Sequence, residues 1–69
     1  MTARPTYMSA ARFLRLRQIL GLTQTEVADE MGYTRFAVLL WEKGSHRVPK
    51  LVAERMMALL DRAGLGEGN

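Results

Sequence analysis

Residues 22–44, LTQTEVADEMGYTRFAVLLWEKG, decide how the whole chain is read. Thr23-Gln24-Thr25-Glu26 has the form of a capping box: the Thr23 hydroxyl accepts from the Glu26 amide, and the Glu26 carboxylate accepts from the Thr23 amide. A helix over 24–31 should follow, with Val27, Ala28 and Met31 on its inner face. Its acids, Glu26, Asp29 and Glu30, suit the positive end of a helix dipole and a solvated face. Gly32 breaks it. Thr34 caps a second helix over 35–43, and Gly44 ends that one, with Lys43 well placed at its negative C-terminal end.

Working outward, a first helix begins near Ser9, with Thr6 as the alternative cap, and runs to Leu20. Phe13, Leu16 and Leu20 recur at helical spacing, and Gly21 stands where a left-handed cap would end the helix. On the other side, Ser45-His46-Arg47-Val48 forms a loop to Pro49, a residue suited to the first position of a helix. The fourth helix covers about 49–62, with Val52, Met56, Leu59 and Leu60 as its buried stripe. Residues 64–69 are glycine-rich and are expected to fray as a flexible tail. No stretch alternates with period two, so the expected class is all-α, with 1–69 as a single domain.

Composition narrows the function. Sixty-nine residues are too few for a deep, walled active site. With 48% hydrophobic and 25% charged residues the chain has globular rather than disordered composition. The lack of cysteine excludes disulfides, iron–sulfur clusters and thiolate zinc sites. No apolar run approaches the roughly 18 residues needed to cross a bilayer, and the first residues lack the apolar segment of a signal peptide. A cytoplasmic location is therefore expected. The net charge of +3 leans weakly toward polyanions, and its distribution says more. From 31 to 52 the bases Arg35, Lys43, Arg47 and Lys50 face the single acid Glu42, whereas 23–30 carries three acids and no base.

Two short helices joined by Met31-Gly32-Tyr33-Thr34, the first acidic and the second followed by a basic loop, make a helix-turn-helix. Here the sequence resembles the phage-repressor (Cro/cI, XRE-like) DNA-binding proteins. The residues that carry the resemblance are Leu22-Thr23-Gln24-Thr25-Glu26-Val27-Ala28, Met31-Gly32-Tyr33-Thr34-Arg35 and Trp41-Glu42-Lys43-Gly44. It covers roughly residues 12–60. It implies a compact lambda-repressor-like domain of four to five helices whose helix-turn-helix core spans about 23–43. Independently, the major groove of B-DNA admits one α-helix, which a neighbouring helix must brace across the phosphates.

The resemblance also implies roles. Gln24 matches the first residue of the bracing helix, which contacts phosphate through its side chain and helix-end amide; an ordinary solvated glutamine is the alternative. Thr23 is a cap beside any such contact. Arg17 and Glu42 match an ion pair that ties the first helix to the third. Arg35 would read guanine O6 and N7 or grip a phosphate, and Thr34 would touch phosphate or a base. His46, Arg47 and Lys50 match the phosphate-gripping loop after the second helix of the motif, while Lys43, with Arg35, Phe36, Leu39 and Leu40, points outward or sideways if Val38 and Trp41 point in. Periodicity assigns Trp41, Val38 and Ala37 to the core, in preference to a base-stacking role for Trp41. Arg12 and Arg15 flank the first helix and Arg4 lies in an arm; solvated charges are expected, although such arms sometimes reach a groove.

One departure stands out. Family members usually carry polar residues where Phe36, Leu39 and Leu40 stand. Apolar contact with thymine methyl groups, burial of Leu39 and Leu40 against a partner subunit, or a protein-binding surface would each account for them. The leading expectation is a sequence-specific double-stranded DNA-binding transcriptional regulator. It would be a homodimeric repressor on an inverted repeat that can regulate its own operon, of the phage-repressor, restriction-controller, antitoxin or anti-CRISPR-associated type. Thr23, Gln24, Thr34, Arg35, Phe36, Leu40, Lys43, His46, Arg47 and Lys50 would form its DNA surface. The alternative is a protein-interaction module or antitoxin on the same fold. No enzyme, catalytic residue, cofactor or metal is expected: the acids of 24–31 have no nucleophile or metal partner, and His46 is the only histidine.

Overall fold

The caps written in the sequence set the helix boundaries. In the computed structural model, which describes residues 8–65, the elements are α1 (Ala10–Leu20), α2 (Gln24–Met31), α3 (Arg35–Lys43) and α4 (Lys50–Arg62). No strand occurs among the described residues, so the class is all-α. None of these helices is long and apolar enough to cross a membrane.

Each of the first three helices starts on a side-chain cap. Ser9 Oγ accepts from the Arg12 amide at 3.1 Å, Thr23 Oγ1 from Glu26 at 3.0 Å and Thr34 Oγ1 from Ala37 at 3.1 Å. The box is complete, because Glu26 Oε1 accepts from the Thr23 amide at 2.8 Å. Thr6, the other candidate cap, lies outside the described residues. Thr23→Ala removes one bond of the box and is expected to cost about 1 kcal/mol. In urea unfolding the midpoint should fall with an unchanged slope.

The turn between α2 and α3 needs a left-handed residue. Gly32 supplies it at φ 76°, and the Tyr33 amide then reaches back to the Ala28 carbonyl at 2.9 Å. Gly44 does the same after α3 at φ 81°, with Ser45 donating to the Leu40 carbonyl at 3.0 Å.

The core gathers one face of every helix. Phe13 and Leu16 of α1, Val27 and Ala28 of α2, Val38 and Trp41 of α3, and Val52, Ala53, Met56 and Leu60 of α4 are buried together with Met8 and Val48. α3 packs on both α1 and α2, and α4 packs on α1. Trp41 is edge-on to Phe13 (centroids 5.6 Å apart) and to Tyr33 (4.9 Å).

Several expectations need correction. Pro49 is the residue before α4 rather than its first residue: its ψ of 147° is extended, as the missing N–H and fixed φ allow at a cap. Leu59 is half-buried, and Ala53 takes its place in the stripe. Gly64 and Leu65 do not begin a free tail. They close α4, with Leu65 donating to the Leu60 carbonyl at 2.8 Å. Residues 66–69 lie outside the described residues.

Candidate nucleic-acid interface

The orientation of α3 is set at Glu42. Arg17, reaching from α1, donates to Glu42 through Nε (2.5 Å to Oε2) and Nη2 (3.4 Å to Oε1). Its Nη1 donates to the Leu22 carbonyl in the α1–α2 turn at 2.9 Å. From α2, Gln24 Nε2 donates to Glu42 Oε1 at 2.9 Å. One carboxylate therefore gathers three helices. The pair is largely dehydrated, with side-chain exposures of 14% for Arg17 and 9% for Glu42. The expected ion pair is thus present, and it fixes the rotation of α3 about its own axis.

Gln24 has a partner that was not expected. The side chain that the resemblance offers to a phosphate is half-buried and donates one hydrogen bond to Glu42. No local signal marks this contact, because the partner lies in another helix. What the start of α2 still offers is the backbone amides of Gln24 and Thr25, since that of Glu26 is taken by the Thr23 hydroxyl.

With Val38 and Trp41 inside, about 3.6 residues per turn put Phe36 and Lys43 on the opposite side of α3, with Leu40 between them. Phe36 is 66% exposed. Leu39 and Leu40 are half-buried, so the apolar outer surface expected of three residues is concentrated in one. They lie on the flanks of the helix, where its neighbours partly cover them. Arg35 and Lys43 are exposed at the two ends of α3. Thr34 is exposed, its hydroxyl used in the cap.

Beyond α3, His46 and Arg47 are exposed and share a shallow notch with Ser9 and Ala10 at the start of α1. Lys50 belongs to the first turn of α4 rather than to the loop. It stands 4.0 Å from Glu54, and both side chains are more than half exposed, so this contact is weak. The result is an uneven field. The only acid of α3 is turned inward against Arg17, while Arg35, Lys43, Arg47 and Lys50 face solvent. Arg12 and Arg15 are exposed on α1, where Arg12 Nη2 also lies 3.8 Å from Met57 Sδ. Arg4 lies outside the described residues. Glu26, Asp29 and Glu30 are exposed on α2, and among the described residues no group of three or more metal-ligating side chains is placed to hold an ion.

Three contributors were missed by sequence reasoning: Met8, Tyr33 and Val48. A signal for them existed. Each stands just before a cap residue and five positions before an apolar residue in the helix that follows (Phe13, Val38 and Ala53), the spacing of a hydrophobic staple. Leu22 and Val27 repeat the pattern at α2.

No protein-family model and no solved structure matches the chain. A protein named an uncharacterized HTH-type transcriptional regulator, from Methanothermobacter thermautotrophicus, is 39% identical to it over 46 residues, which are 67% of each chain. Given that identity and coverage, and two capped helices joined through Gly32 within an all-α fold, the chain belongs to the helix-turn-helix transcriptional regulators.

Proposed function

We propose that this regulator binds double-stranded DNA sequence-specifically, with α3 in the major groove and α2 bracing it across the backbone. It does so as a homodimer on an inverted repeat, with half-site centres about 34 Å apart, and represses transcription, including that of its own operon. The observation that carries this reading is the withdrawal of Glu42. α3 presents Arg35 and Lys43 without an exposed acid, and Arg47 and Lys50 continue the basic surface. Such a surface suits the phosphates on both sides of a groove. In this reading Arg35 addresses a base edge or the nearest phosphate. Thr34, Lys43, His46, Arg47, Lys50 and the amides at the start of α2 grip the backbone.

The test is selection from random duplex DNA at two salt concentrations. A palindromic motif with steep salt dependence supports the reading. Binding no tighter than that of random competitor sinks it and favours a protein-interaction module, to which the exposed Phe36 would then belong. Substitutions at the two arginines should behave differently. Arg35→Ala is expected to cost about 1–3 kcal/mol and to relax selectivity at one base pair. Arg47→Ala should weaken all duplexes alike and reduce the salt slope by about one. Titrations of each variant against the selected site and single-base variants of it separate the two.

A further inference from the structure

Phe36 is the most exposed residue on α3 whose side chain can neither donate nor accept a hydrogen bond. It is the second residue of the helix, directly opposite the buried Val38 and Trp41. In a helix placed in the major groove, the N-terminal residues are those that address base edges. Phe36 would therefore meet a base edge while offering only carbon. Among the four bases, thymine alone presents a carbon substituent, its C5-methyl group, to the major groove. The surroundings favour a nucleic-acid occupant over an apolar protein. Arg35 precedes Phe36, Lys43 lies on the same side two turns on, and the one acid of the helix faces inward. An apolar contact framed by cations is complementary to a groove whose walls are phosphates and whose floor carries methyl groups.

We infer that Phe36 is a specificity-determining residue that reads the C5-methyl group of a thymine in each half-site. Leu40, one turn further along and half-buried, borders the same contact. The inference rests on α3 being the DNA-reading helix.

The test uses a duplex recovered by selection with the wild-type protein, remade with deoxyuridine in place of thymidine at one position at a time. Deoxyuridine lacks the methyl group and keeps the pairing with adenine. At one position per half-site the wild-type protein should bind about fourfold more weakly, and about fifteenfold when both half-sites are substituted, the factors expected for one and two such groups removed from contact. Phe36→Ala should bind the thymidine and deoxyuridine duplexes alike. Its circular dichroism and unfolding midpoint should match the wild type, since the side chain it removes is mostly solvated. Equal wild-type binding to both duplexes at every position overturns the inference while leaving the DNA-reading role intact. A methyl preference that persists unchanged in Phe36→Ala also overturns it, because another residue then does the reading. If the wild type recovers no motif, the inference falls together with the reading beneath it.

Discussion

Arg17→Ala should leave the domain largely unfolded at physiological temperature. The substitution strands the Glu42 carboxylate, 9% exposed, with Gln24 as its one remaining hydrogen-bond donor, and frees the Leu22 carbonyl from its side-chain donor. Breaking a buried pair on one side costs about 3–5 kcal/mol. A domain of this size has about that much stability in total from its core. Urea unfolding followed by circular dichroism measures the loss directly. Removing both charges together, as Arg17→Met with Glu42→Leu, should recover most of it, because no carboxylate is then left dehydrated and unpaired. A single-variant loss below about 1 kcal/mol would mean that the pair behaves like a solvated surface contact. The conclusion that Glu42 sets the orientation of α3 would then fail.

Trp41→Ala should be comparably damaging by a different route. The indole is 3% exposed and lies edge-on between Phe13 of α1 and Tyr33 of the α2–α3 turn. Truncating a buried tryptophan costs about 3–5 kcal/mol through lost transfer energy and the cavity left behind. Trp41→Phe should retain a good part of the stability, since a ring remains to meet both neighbours. Calorimetric midpoints of the two variants check the order, and equal losses would indicate that the polar end of the indole matters more than its volume.

Local features of the sequence carried most of the fold. A threonine followed three residues later by a glutamate declares a helix start by itself, and a glycine after an apolar repeat declares an end. The boundaries of α1, α2 and α3 follow from such signals at Ser9, Thr23, Gly32, Thr34 and Gly44. Where only tertiary neighbours decide, the sequence said less. Gln24 reads as an outward helix-start residue until Glu42, eighteen positions away, is brought beside it. Leu39 and Leu40 look exposed on a helical wheel, but the neighbours of α3 cover much of both. Proline suits either of two adjacent positions at a helix start, and only the extended ψ of Pro49 separates them. Ala53 outranks Leu59 in burial because the angle at which α4 meets the core decides which flank is covered, and residue type does not report that angle.

The residues of α3 that hold the fold and those that meet solvent are different residues. Val38, Trp41 and Glu42 seat the helix, whereas Arg35, Phe36 and Lys43 contribute little to that seat. Exchanges at exposed positions of this kind usually change stability by no more than about 0.5 kcal/mol. A lineage carrying this scaffold can therefore rewrite the outer face of the helix one residue at a time, never passing through an unfolded ancestor on the way.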